Sequence, residues 1–211
     1  MENCVNLDAV HVPYAHIKRI FDIIGAAVLI VLLSPVFLVV MLLVKLHDRG
    51  PVFYKSTRIG LCGEPFTFWK FRTMVLNADK LKAELVQQNE KDGPIFKMKN
   101  DPRVTPIGRH LRRLSLDELP QLFSVLTGQM SLVGPRPPLP HEVLQYRVED
   151  LERLRVKPGI TCYWQVMGRS DLSFDEWMEL DRRYIQDMSF MLDFKLLLKT
   201  PFAVLKSRGS Y

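Results

Sequence analysis

Residues 23–44 read IIGAAVLIVLLSPVFLVVMLLV, and no charged side chain interrupts them. A helix rising about 1.5 Å per residue carries such a run across about 33 Å, the depth of a hydrocarbon core. A buried helix of a soluble domain has no need of that length. A signal peptide fits poorly too, because no small-residue cleavage site follows. The run predicts a membrane element. Pro35 in its middle removes a helix hydrogen bond, and Ser34 beside it can satisfy the freed carbonyl, so Ser34-Pro35 is the expected bend. Lys18 and Arg19 precede the run, and Lys45, His47 and Arg49 follow it. The positive-inside rule therefore names neither end as external. Two readings stay open on these residues: a re-entrant hairpin of two half-helices with both ends on the cytoplasmic side, and a plain kinked span.

Working outward, residues 1–16 show no period and form an amino-terminal lead, 17–49 hold the membrane hairpin, and 50–211 form the remaining domain. Lysine and arginine total 29 against 23 acidic residues, and 47% of the chain is hydrophobic, a basic and apolar balance that points to anionic partners near lipid. Nucleic acid is not expected, for there is no zinc-finger spacing, RNA-binding aromatic signature or basic zipper. Cys4, Cys62 and Cys162 are odd in number and far apart, and the histidines are scattered, which speaks against a disulfide framework and structural zinc and for a reducing cytoplasm.

After Gly50-Pro51 the pattern becomes aromatic and β-branched. Val52-Phe53-Tyr54, a turn at Gly60–Glu64 and Phe66–Phe71 predict a β-hairpin, with Lys70 and Arg72 leaving its second arm on one face as candidate phosphate ligands. A helix is expected over Asn77–Gln88, a loop over Asn89–Asp101, and a short cationic helix from Thr105-Pro106 to Arg113. The next helix is expected to start at Asp117, which puts Pro120 in the first turn, and to end at Gly128. Arg136 lies between Pro135 and Pro137, a stiff backbone suited to presenting a guanidinium to an anion. Leu139–Leu154 reads as a charged helix. An apolar stretch at Ile160–Val166 is closed by Gly168–Asp171, and a further helix, capped by Ser173 or Asp171, runs to Met188. Phe190, Phe194, Leu197, Leu198, Phe202 and Leu205 recur at helical spacing away from Lys195, Lys199 and Lys206, predicting an amphipathic interfacial segment broken or kinked at Pro201. The expected fold class is α+β and mainly helical.

The chain has no Walker A loop, GxGxxG, nucleophile elbow or HExxH. What remains is Asp117 and Glu118 at a helix start, with Arg112 and Arg136 as anion clamps. A helix amino terminus lowers a carboxylate's pKa, so Asp117 is expected to be ionised near neutrality. Such an aspartate can attack a phosphoanhydride if Mg²⁺ and arginines offset its repulsion from the phosphates, and a carboxylate pair can anchor the Mg²⁺.

Lys18–Asp22, Ser34-Pro35, Arg58-Ile59-Gly60, Lys70–Met74, Leu114–Leu122, Gly134–Pro137, Lys157–Thr161 and Trp164–Val166 occur in the order found in one group of proteins. From about Lys18 to Thr200 the chain resembles the bacterial sugar transferases, the monotopic phosphoglycosyl transferases that begin polysaccharide and glycoconjugate assembly. The resemblance implies a re-entrant helix bent at Ser34-Pro35 and a catalytic domain on the cytoplasmic face of the bacterial plasma membrane. It also implies catalysis by Asp117 and Glu118, the same pair holding Mg²⁺. Asp117 would attack the β-phosphate of a UDP-sugar, release UMP and pass the phosphosugar to undecaprenyl phosphate. Arg112 and Arg136 would handle phosphate, with Lys70 and Arg72 as further phosphate ligands. The chain departs from the pattern at Pro138 and Cys162-Tyr163, near expected sugar or uracil contacts, while Trp164-Gln165 and the 168–170 region look closer to the hexose-1-phosphate transferases. A catalytically silent membrane scaffold is the alternative and predicts no Mg²⁺-dependent UMP release. Sugar identity and oligomeric state are not legible in these residues.

Overall fold

The computed structural model describes residues 8–12, 14–90, 92–168 and 172–206. Much of the expected amino-terminal lead, together with Arg169, Ser170, Asp171 and the last five residues, lies outside them. Helix α1, Ala15–Asp48, spans 34 residues and includes Pro35. The two half-helices expected from the sequence are thus one helix. The carbonyl that Pro35 leaves without a donor is that of Val31, and the Ser34 hydroxyl donates to it at 2.8 Å, so the helix continues.

One stripe of α1 packs on the domain along its whole length: Asp22, Ala26, Phe37, Val40 and Val44 are buried, with Ile30, Leu33 and Val36 partly so. The opposite face carries Ile24, Val31, Leu32, Leu38, Leu42 and Leu46, each more than half exposed. Such a face is a wide contiguous apolar surface.

Both ends of α1 are bonded to the same domain. Near its start, Lys18 Nζ pairs with Asp193 at 2.6 Å and donates to the Val133 carbonyl at 3.1 Å, and Arg19 donates to the carbonyls of Val125 and Leu126 at 2.7 Å each. Asp22 accepts from Ser131 Oγ at 3.0 Å and the Leu132 amide at 2.9 Å. At the far end Asp48 pairs with Arg72, and the Phe37 ring meets Phe71 and Phe123 edge-on.

Strands β1 (Phe53–Ile59) and β2 (Pro65–Phe71) form the predicted antiparallel hairpin, in register from Phe53↔Phe71 to Ile59↔Pro65. Phe66 and Phe68 point into the core and Phe71 is buried against α1. Helix α2 covers Ala78–Leu85 and continues as a 3₁₀ turn to Gln88; α3, Pro106–Arg113, is capped by Thr105 Oγ1, which accepts from the Gly108 amide at 2.9 Å. A 3₁₀ turn at Leu116–Glu118 then leads into α4, Gln121–Thr127, which ends at Gly128 as expected. Pro120 stands at the helix entry, where its missing N–H costs little.

A second, parallel pair joins β3 (Ser131–Val133) to β4 (Gly159–Thr161). The Gly159 amide donates to the Pro135 carbonyl at 2.9 Å. A Cβ on Gly159 would lie 2.0 Å from the Gly134 nitrogen, and one on Gly134 would lie 2.3 Å from the Lys157 carbonyl. The Gly-Pro-Arg-Pro and Lys-Pro-Gly stretches are therefore pressed backbone to backbone, which fixes where Arg136 starts.

The expected helix over Leu139–Leu154 is instead a short α5, Pro140–Val143, and a 3₁₀ stretch, Val148–Arg155. Glu142 and Asp150 turn back to accept from the amides of Leu139 and Arg147, so the acids read as helix-surface charges close turns. Helix α6 (Tyr163–Met167) and α7 (Phe174–Asp187, capped by Ser173) meet through stacked Trp164 and Trp177 rings 4.5 Å apart. Helix α8, Phe190–Lys206, runs unbroken through Pro201. It buries Asp193 and Leu196 and exposes Met191, Leu198, Phe202 and Leu205. Its first residue, Phe190, packs edge-on against Phe21, which ties the start of α8 to the start of α1. The architecture is mainly helical, with two small two-stranded sheets and one long apolar helix.

Candidate active site

Asp117 and Glu118 lie on the 3₁₀ turn after Ser115, whose φ of 53° bends the chain sharply out of α3. The turn faces the hairpin across a cleft of about 490 Å³. From β2, Lys70 Nζ reaches Glu118 Oε1 at 2.7 Å and Asp117 Oδ2 at 3.4 Å. From the proline turn, Arg136 Nη1 reaches the same Glu118 oxygen at 3.0 Å. Arg112, on α3, lines the cleft and is steadied by Thr73, whose hydroxyl accepts from its Nε at 3.0 Å.

The two acids are unequal. Glu118 is engaged by two cations, whereas among the described residues the only ion pair of Asp117 is the longer contact to Lys70. Burial pushes the Asp117 carboxyl above the usual aspartate range; Lys70 and Arg112 pull it down without cancelling that push, and the charge of Glu118 adds to it. Burial acts on Glu118 in the same direction, but there Lys70 and Arg136 prevail and hold it well below the usual carboxylate range. Asp117 does not carry the lowered pKa expected at a helix terminus, because burial outweighs the short 3₁₀ turn.

The structure thus gathers Asp117, Glu118, Lys70, Arg112 and Arg136 around one cleft. Arg72 also borders it, but its guanidinium is committed elsewhere, to Asp48 and the carbonyl oxygens of Pro51 and Met74. The chain turns at the end of β2, so the shared face of Lys70 and Arg72 does not carry to a shared ligand. Ser34 and Pro35 sit in α1, away from the residues lining the cleft.

Three cleft residues escaped the sequence reading. Arg58 on β1 donates from Nη1 to the Pro137 carbonyl at 3.0 Å. Arg103 forms a buried pair with Asp101 at 2.7 Å. Arg153 pairs with Asp181 at 2.8 Å and donates to the Arg136 carbonyl at 2.9 Å. The one available signal was a basic residue placed directly before the Ile59-Gly60 turn. Among the described residues no group of three or more metal-ligating side chains forms; two buried carboxylates sharing a cation across an open cleft do fit a Mg²⁺ ion that takes its other ligands from phosphate and water.

A family model described as bacterial sugar transferase matches residues 13–207. The chain belongs to the bacterial sugar transferase family. Within that family it is 44% identical over 198 residues to the exopolysaccharide production protein ExoY of Rhizobium meliloti (strain 1021), an alignment covering 92% of this chain and 88% of that protein. It is 41% identical over 202 residues to the undecaprenyl-phosphate galactose phosphotransferase of Salmonella typhimurium, and 40% identical over 204 residues to the UDP-glucose:undecaprenyl-phosphate glucose-1-phosphate transferase of Escherichia coli (strain K12). Each of those two alignments covers 92% of this sugar transferase, but only 42% and 41% of the respective relatives.

Proposed function

We propose that the chain is a phosphoglycosyl transferase that moves a sugar phosphate from a UDP-sugar to undecaprenyl phosphate at the cytoplasmic face of the bacterial plasma membrane. The names of the Salmonella and E. coli relatives supply the substrate classes. The inequality of the two buried acids carries the mechanism.

Asp117 is the nucleophile. A carboxylate with few compensating contacts and a raised pKa keeps its electron density available, and burial strips the water that would mask it. Its oxygen forms a bond to the β-phosphorus of the donor, and the bond from that phosphorus to the bridging oxygen breaks. The electron pair leaves with UMP. An oxygen of undecaprenyl phosphate then attacks the same phosphorus and releases Asp117, giving a lipid diphosphate sugar. Glu118 stays ionised between Lys70 and Arg136 and holds both cations beside the phosphates. Arg112 faces the phosphoryl group from α3. Asp117 and Glu118 would hold Mg²⁺, which when bound would supply positive charge to lessen the repulsion between carboxylate and phosphates.

The bonding of α1 supports this membrane placement. Lys18, Arg19 and Asp22 near one end and Asp48 at the other all bond to polar groups of the same domain. A helix crossing the bilayer would separate its ends by a hydrocarbon core, whereas one domain touching both ends keeps them on the same side. On this reading α1 lays its exposed apolar face in one leaflet with both ends on the cytoplasmic side, and the exposed apolar face of α8 rests in the interface as well.

The test offers a panel of UDP-sugars to the purified chain with Mg²⁺ and reads UMP before lipid acceptor is added. UMP release from at least one donor, lost in Asp117→Asn and on chelation, is the expected result. Release that is undiminished in Asp117→Asn removes the covalent role.

A further inference from the structure

Resting on the donor reading above, we infer that Arg58 is the ligand of the nucleotide-side phosphate, the one that departs with UMP. Arg58 comes from β1 and lines the same cleft as the dyad. Its guanidinium is largely buried over the Phe68 ring, 5.1 Å from the centroid. Nη1 is used by the Pro137 carbonyl, but the buried Nε has no partner. Among the described residues no carboxylate stands within ion-pair distance of it; Glu142 and Glu118 act only from farther off, and Glu142 is occupied by the Leu139 amide.

The strongest charge acting on it is another guanidinium, Arg136, and burial with that repulsion draws the Arg58 pKa down to about 10. A buried guanidinium without an acid beside it is costly, and folding alone gives no reason to keep one next to Arg136. A phosphate bound in the cleft would neutralise it. Lys70, Arg136 and Glu118 form one connected set around the reacting phosphate, while Arg58 touches neither acid and is held instead against the Pro137 carbonyl of the proline turn. That position suits the second phosphate of a diphosphate. As the bond to the bridging oxygen breaks, the departing phosphate gains negative charge, and a fixed guanidinium there stabilises the leaving group.

The experiment is calorimetric titration of the full chain, in lipid nanodiscs, with UMP, uridine and inorganic pyrophosphate, for wild type, Arg58→Gln and Arg58→Lys. Loss of a charged hydrogen-bond donor predicts that Arg58→Gln weakens UMP and pyrophosphate by about tenfold or more and leaves uridine unchanged, with Arg58→Lys between the two. Equal anion affinities in wild type and Arg58→Gln overturn the inference. So does a parallel loss of uridine, which would mean that Arg58 only latches the Pro137 turn to the hairpin. If Arg58→Gln fails to fold, Arg58→Lys decides, since wild-type UMP affinity in that variant also overturns it. Should no UDP-sugar release UMP from the wild-type chain, the donor reading falls, and the pyrophosphate titration still decides whether Arg58 binds phosphate.

Discussion

Buried acids meet cations in two regions of this molecule, with opposite outcomes. Around α1 the contacts are closed: Asp193 receives Lys18 at 2.6 Å and the Tyr184 hydroxyl at 2.9 Å, and Asp22 accepts from Ser131 and Leu132. In the cleft, Glu118 is closed in the same way, but Asp117 is left with one cation at 3.4 Å. A satisfied buried acid holds structure together, whereas an undersatisfied one stores reactivity at some cost to stability. The long apolar helix uses the first kind and the cleft combines both within two adjacent residues.

The largest expected effect separates the two regions. Asp117→Asn should lower UMP release by about a thousandfold or more while leaving the melting temperature unchanged or raised. Asp193→Asn should do the reverse, costing about 3 kcal/mol because Lys18 loses its buried partner. If Asp117→Asn unfolds the chain, the contrast collapses. Next in size, Glu118→Gln should lower the rate by roughly a hundredfold. It should also move the acid limb of the pH–rate profile downward, because the charge of Glu118 is one of the causes raising the Asp117 pKa. An upward shift would mean that Glu118 mainly holds Lys70 beside Asp117.

The stability of the chain carries the same signature with a definite sign. The folded Asp117 pKa lies above its unfolded value, so this group favours folding at low pH and loses that contribution as pH rises through the folded pKa. Asp117→Asn should flatten this part of the stability profile, and chemical denaturation at several pH values reads it. The smallest effect is at Arg72. Because its guanidinium binds Asp48, Arg72→Met should loosen the end of α1, lowering stability by about 1–3 kcal/mol, and change donor KM less than about threefold. A large KM effect with unchanged stability would put Arg72 on the substrate.

The long helix and the hairpin were legible in the sequence because their signals are local: an uncharged run of membrane length, and aromatic alternation on either side of a turn. The dyad was legible as chemistry, and Arg112, Arg136 and Lys70 do converge on its cleft. The helicity of residues 34–35 was misread because proline alone argues for a break, while the repair by Ser34 at Val31 depends on the rotamer it adopts. The β3–β4 pair was invisible, since each strand is a few residues long and their fit depends on Gly134 meeting Gly159 across the chain. The Asp48 partner of Arg72 and the place of Arg58 in the cleft were not legible for a related reason. Strand alternation says which face a side chain leaves from, not whether Asp48 or the Pro137 carbonyl waits there.

The division between a reactive Asp117 and a paired Glu118 is tested most directly by intact-protein mass spectrometry after the chain has met a turned-over UDP-sugar without lipid acceptor. The account predicts a mass gain of one sugar phosphate per chain, localised by peptide mapping to Asp117, formed in Glu118→Gln at a reduced rate and discharged when undecaprenyl phosphate is added. An adduct on Glu118, or UMP released only after the acceptor is present and with no adduct at any time, would contradict it.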